Sequence, residues 1–218
     1  LLAFEGNTRT LWSSPLEHDR IISNLLFESA IYHPTVMIRK EVLDSSALGY
    51  SIDFPYAEDY ELWSRMSRYC RLANIGEVLL NYRLHGNNIG KLKAEDQIRS
   101  ASRVRARLLA DLGIEPTDEE LALHTSLSLW HSSARRKWLQ AVQDWLEKLF
   151  ISNMQMHVYP EIPFCEVLAK RWYYVCLKAT PLGLFAYRKY YDSHLGLHNS
   201  LPWRHRLMFF FRSIMKIA

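Results

Sequence analysis

The sequence predicts an α/β fold with few strands followed by a mainly α-helical region, and three observations carry this. Short β-branched or apolar runs at Thr35–Ile38 and Ile75–Tyr82 alternate with helical spacing up to His85. The cluster Gly86, Asn87, Asn88 and Gly90 then interrupts the pattern. Beyond it, apolar residues recur at helical spacing only, most clearly at Trp138, Leu139, Val142, Trp145, Leu146 and Leu149, the wide stripe of a core-facing helix. The expected domains are residues 1–90 and a helical extension over residues 91–218 with a basic, aromatic-rich tail.

Each element has its own warrant. Ser14 before Pro15, with Glu17 and Asp19 behind, reads as an N-cap, a proline at the first helical position and acids in the first turn, so a helix is expected from Pro15 to about Glu28. Thr35 to Ile38, bounded by Pro34 and by Arg39, Lys40 and Glu41, reads as a buried strand followed by a short helix. Gly49 to Pro55 is rich in turn residues. Leu62, Trp63 and Met66 then define a helix starting near Glu58 and running to about Tyr69. Ile75, Val78, Leu79, Leu80 and Tyr82 read as extended chain with a bend at Gly76, where strand content ends. Helices are expected over Leu92–Leu112, Thr117–Trp130, Ala134–Phe150 and Glu161–Thr180, the last stopped by Pro181 and Gly183.

Composition narrows the class. With 218 residues, 49% hydrophobic and 23% charged, the chain can build a core and is neither a disordered tail nor a fibrous repeat. The run Leu207 to Phe211 has five apolar residues, against roughly 20 for a membrane-spanning helix. Cys70, Cys165 and Cys176 are odd in number and without CxxC spacing, and no Asn-x-Ser/Thr acceptor occurs, so the expected location is cytoplasmic. Leu1 in place of Met suggests a piece of a longer protein.

Charge is uneven along the chain. Residues 1–150 hold 18 basic and 20 acidic side chains, and residues 151–218 hold 9 and 3. The basic part also carries Trp172, Tyr173, Tyr174, Phe185, Tyr187, Tyr190, Tyr191, Trp203, Phe209, Phe210 and Phe211. Two readings stand side by side. Either long basic side chains cover a helical core, or the tail meets an anionic membrane surface, which would make the protein peripheral on the inner face of the membrane. Nucleic acid is the least favoured partner.

There is no Gly-rich phosphate loop, no HExxH and no Gly-x-Ser-x-Gly. His194 and His198 lie four apart, but with Gly196 between them and no nearby carboxylate in a fixed frame they read as loop histidines, and no metal ligand is assigned. The informative stretches are Ala57-Glu58-Asp59-Tyr60-Glu61-Leu62-Trp63-Ser64-Arg65 and Ala73 to His85, preceded by His33-Pro34-Thr35-Val36-Met37-Ile38-Arg39. The order of a VMIR run, a Gly-Tyr turn, an EDxxLWxR helix start and a strand ending YRxH resembles the C-terminal, acceptor-side half of a family-2 glycosyltransferase with the GT-A fold. The resemblance covers roughly residues 15–90, and residues 1–90 would then be an incomplete GT-A-like half.

The resemblance implies an inverting transferase of bacterial surface polysaccharide or glycan synthesis. It would take a nucleotide-sugar donor and a glycan or lipid-linked acceptor. Asp59 matches the family's base, with Glu58 beside it, and a helix start favours a charged carboxylate there. Capping of the helix is the competing role, and the two are compatible. His33 either faces the acceptor or hydrogen-bonds next to Pro34; Trp63 is core and also shapes the acceptor wall; Arg65 makes an ion pair or touches substrate. Arg83 and His85 fall on one face of an extended segment, either near the nucleotide diphosphate or as a surface pair. The family's divalent cation, Mn or Mg, is held by Asp-x-Asp, and this chain contains none; Glu17-His18-Asp19 lies in an expected helix and is rejected as a substitute. With the donor half absent, the chain alone is expected to be inactive. The alternative is a non-catalytic helical module that binds a partner, a membrane surface or nucleic acid through its basic aromatic tail.

Overall fold

In the computed structural model, residues 1–86, 92–197 and 201–217 are described. The chain divides into two compact units, Leu1–Ala110 and Asp111–Ala218.

The first unit is mixed. Strands β1 (Leu2–Glu5) and β2 (Thr8–Leu11) form an antiparallel hairpin, and β3 (Asn81–Arg83) pairs parallel to β1, giving the order β2-β1-β3. The hairpin turns at Gly6-Asn7, where Gly6 has φ 56°, a conformation that costs a residue without a Cβ nothing. Helices α1 (His18–Leu25), α2 (Lys40–Ser45), α3 (Glu58–Met66) and α4 (Ala94–Asp111) complete the unit. Its core is built from Ile21, Leu25, Leu26 and Phe27 around α1, Phe54 and Ala57 before α3, and Tyr60, Leu62, Trp63 and Met66 on α3. The Tyr60 hydroxyl donates to the carbonyl of Leu25, which ties α3 to the end of α1. From α4, the buried Arg105 donates through Nε to the carbonyl of Phe27 at 2.7 Å, so this helix packs with the first unit, beyond the expected domain end at residue 90.

Three expectations differ from the structure. Thr35–Ile38 is not a strand: His33–Thr35 forms a 3-10 turn, Met37 is fully exposed, and the sheet takes its strands from the hairpin and from residues 81–83 instead. Pro34 at the start of the turn and the Thr35 hydroxyl bond to the Tyr32 carbonyl favour this local arrangement over pairing. The first helix starts at His18 rather than Pro15, because the carbonyls of Pro15 and Leu16 accept from the side chain and backbone N–H of Asn74, at 2.6 and 3.0 Å. Of the extended segment after Leu72, residues 81–83 pair with β1 as a strand.

The second unit is helical among the described residues. Helix α5 (Asp118–Ser128) begins with a capping box: the Thr117 hydroxyl accepts from the Glu120 N–H and the Glu120 carboxylate accepts from the Thr117 N–H. Helix α6 (Arg136–Met156) buries Leu139, Val142, Trp145, Leu146 and Leu149, the expected stripe, and packs against α7 (Glu161–Lys178). The turn after α6 is closed by Asn153, whose side chain both donates to the carbonyl and accepts from the N–H of Tyr159. After a 3-10 turn at Thr180–Leu182 and Gly183 come α8 (Leu184–Tyr191), α9 (His194–Leu197) and α10 (Trp203–Met215). No described helix is long and apolar enough to cross a membrane.

Candidate functional site

The chemistry-bearing residues of the first unit gather at the N-terminal end of α3. Three acids, Glu58, Asp59 and Glu61, fall in its first turn, where the unpaired N–H groups of a helix start favour negative charge. Their fates differ. Glu61 is 3% exposed and is held by two cations: Arg65 donates Nε to Oε1 and Nη2 to Oε2, both at 2.7 Å, and Arg107 lies 3.4 Å from Oε1. Arg65 Nη2 also donates to the carbonyl of Gly49 at 2.6 Å. Arg65 is therefore committed to an ion pair that fixes the Gly49-Tyr50 turn. The strength of the pair raises the Arg65 pKa further.

Asp59 is half-buried, and its Oδ1 accepts from the N–H of Tyr60 at 2.7 Å. Burial pushes its carboxyl above the ordinary carboxylate range; the Tyr60 N–H and nearby His33 pull it down, and Glu58 pushes it up. Glu58 Oε2 is buried and has no hydrogen-bond partner among the described residues. Opposite them, His33 Nε2 and the Tyr50 hydroxyl are 2.9 Å apart, with ring centroids at 5.5 Å. Burial and the two carboxylates, Asp59 before Glu58, raise the Tyr50 pKa. The His33 ring also meets Trp63 edge-on at 6.3 Å. The arrangement brings together Glu58, Asp59, His33 and Trp63 of the sequence-derived set, and adds Tyr50.

Trp63 has two roles. It is 1% exposed, so it belongs to the core, and it also lines a groove of about 1150 Å³ between residues 34–42 and 72–80. Arg83 is exposed on β3 opposite Phe4, and the exposed His85 follows it; both belong to the end of the sheet rather than to α3. His18 accepts the Leu72 N–H through Nδ1 at 3.0 Å, which gives the rejected Glu17-His18-Asp19 triplet a structural task. His194 lies in α9, its ring 4.9 Å from that of Phe150, and His198 falls outside the described residues.

Two residues escaped the sequence reading as site members. Tyr50 was visible only as half of a Gly-Tyr turn, and the buried Glu61 only as a third acid in a helix start. The cluster does not fit a resident divalent cation. Its donors are two carboxylates adjacent in sequence and an imidazole bonded to Tyr50, and among the described residues no three His, Cys, Asp or Glu side chains converge as a metal set.

The cluster is thus a half-buried carboxylate at a helix start beside an imidazole-phenol pair. Comparison with known proteins gives this cluster a context. A Haemophilus influenzae protein named an uncharacterized glycosyltransferase is 35% identical over 105 residues, 48% of this chain and 32% of that protein. The O-antigen biosynthesis glycosyltransferase WbnJ of Escherichia coli is 39% identical over 77 residues, 34% of this chain and 30% of that protein. The chain is thus related to glycosyltransferases, and it spans about a third of the length of the curated relatives it matches. No family model matches the chain. No solved structure matches it.

Proposed function

We propose that this chain supplies the acceptor side of an inverting glycosyltransferase of family 2 and GT-A fold, with Asp59 as the catalytic base. The observation that carries the reading is the state of Asp59. Its Oδ1 is held by the Tyr60 N–H, which leaves Oδ2 to receive a proton, and burial raises its basicity toward the working pH of a general base. In the reaction, the acceptor oxygen bonds to the anomeric carbon as Asp59 takes its proton. The bond from that carbon to the diphosphate oxygen breaks, and the electron pair leaves with the nucleotide. Attack from the face opposite the leaving group inverts the anomeric centre.

The neighbours have supporting roles. Glu58 Oε2, buried without a partner, is suited to accept a second hydroxyl of the acceptor. The Tyr50 hydroxyl and His33 orient the same sugar, Trp63 supplies a wall, and Arg65 keeps the Tyr50 turn in place through Gly49. Arg83 and His85 are assigned to the donor diphosphate, whose charge Arg83 offsets. The rest of the donor site and any divalent cation, Mn or Mg, are assigned to residues that an intact enzyme would add to these. The polysaccharide context is supported by a relative named for O-antigen biosynthesis, and the glycan or lipid-linked acceptor is what the resemblance to family 2 implies. The test is the stereochemistry of transfer by a protein that includes the donor-binding part: a product with anomeric configuration opposite to the donor's supports the reading, and a retained configuration overturns it.

A further inference from the structure

Helix α10 is inside out for a helix in water. Only Phe209 and Ser213 of its residues are buried, with Phe209 set among the rings of Tyr173, Tyr187 and Tyr190 at 5.8, 5.3 and 5.6 Å. Arg212 is half-buried on the same side, where it lowers the Tyr173 pKa against the upward push of burial. The opposite side, at successive spacings of four, four and three residues, carries Trp203, Leu207, Phe211 and Ile214, exposed by 66%, 46%, 58% and 48%. Met208, Phe210 and Met215 widen this apolar face and are exposed as well. A soluble helix normally turns such a stripe toward the core.

The orientation is fixed by the fold. The Thr180 hydroxyl donates to the carbonyl of Ile217, just after the helix, and Thr180 itself is fully buried. At the other end the Arg206 Nε donates to the Leu201 carbonyl at 3.0 Å. The apolar face is therefore presented by a helix tied down at its C-terminal end, and a contiguous exposed face of this kind marks an interaction surface.

Charge selects the partner. No Asp or Glu occurs from Ser193 to Ala218, whereas Arg204, Arg206, Arg212 and Lys216 do. Arg204 sits at the edge of the apolar face with its guanidinium 5.5 Å from the Trp203 ring, a tryptophan and cation pair suited to the level of lipid headgroups. Thirteen residues give a helix of about 20 Å, too short to span a bilayer core of about 30 Å. Aliphatic side chains such as Leu207 and Ile214 offer nothing to a nucleic-acid backbone. We propose that α10 lies in the plane of an anionic bilayer, with Trp203, Leu207, Phe211 and Ile214 entering the headgroup region and Arg204 and Arg206 meeting anionic lipid.

Vesicle co-sedimentation of the 218-residue chain tests this, comparing phosphatidylcholine with the same lipid containing about one third phosphatidylglycerol. Pelleting with the anionic vesicles only is expected. Binding should fall at least about tenfold in Leu207→Gln/Phe211→Gln and about tenfold in Arg204→Gln/Arg206→Gln. Leu207 and Phe211 are exposed, so circular dichroism and melting of Leu207→Gln/Phe211→Gln should match the parent chain. Equal binding to the two vesicle types, or parental binding by Leu207→Gln/Phe211→Gln, overturns the proposal. So does a concentration-dependent dimer in size-exclusion chromatography that this variant abolishes, which would give the face to a second copy. Retention of a single-stranded RNA of mixed sequence in place of vesicles also contradicts it.

Discussion

Arg65 joins two carbonyl-side partners at once: it grips the Glu61 carboxylate with Nε and Nη2 and, with Nη2 again, holds the Gly49 carbonyl. One side chain therefore links the helix that carries Asp59 to the turn that carries Tyr50. In Arg65→Ala the nearly buried Glu61 would keep only the longer contact to Arg107. Loss of about 2–4 kcal/mol is expected in urea unfolding of the first unit, because a buried carboxylate is left with too little compensation. Glu61→Gln/Arg65→Gln should cost less than the sum of the single changes.

His18 provides a pH dependence of definite sign. Burial first and Arg71 next depress its pKa, and its Nδ1 must remain an acceptor for the Leu72 N–H. The unfolded chain therefore takes up the proton before the folded one does. Stability is fully present above the ordinary histidine range, about 6.5, and is lost as pH falls from there through the depressed folded value. Melting temperatures measured between about pH 8 and 5 should decline in the parent chain and decline less in His18→Gln. Identical slopes would remove His18 from the account.

Asp59 acts in the opposite direction. Its pKa is raised in the folded chain, so the folded state holds its proton longer and the ionised form opposes folding above the carboxylate range. Asp59→Asn, which keeps an oxygen for the Tyr60 N–H, should melt a degree or two higher than the parent near pH 7, an order-of-magnitude expectation. The gain should vanish once pH falls below the unfolded carboxylate value, about 3.9. A lower melting temperature at neutral pH would show that the carboxylate stabilises the fold.

Much of this architecture was legible because it is local. The start of α3 at Glu58, the start of α5 near Thr117 and the stripe of α6 follow from spacing and end chemistry. What was not legible depends on residues far apart in sequence. Ser14 reads as a helix cap until Asn74 takes the carbonyls of Pro15 and Leu16. Thr35–Ile38 has the composition of a strand but no strand to pair with, while the hairpin β1-β2 has four-residue strands and an exposed β2, leaving Gly6-Asn7 as its only local sign. In the site, Asp59 and Trp63 share one helix and one motif, whereas Tyr50 meets His33 across 17 residues of chain through a turn that Arg65 holds.

Nucleotide-sugar binding separates the two halves of the proposed reaction. The 218-residue chain should bind weakly or not at all in calorimetric titration with a panel of nucleotide sugars and Mn²⁺, because it lacks the Asp-x-Asp carboxylates that hold a metal-bridged diphosphate. Micromolar binding would place the donor site within this chain.

The most direct measurement is turnover by Asp59→Asn in a protein that includes the donor-binding part. With Asp59 as the base, kcat should fall at least about 10²-fold while the affinity for the nucleotide sugar is unchanged, since only proton removal from the acceptor is lost. Near-parental kcat in that variant would contradict the assignment of Asp59, and with it the acceptor-side reading of the α3 cluster.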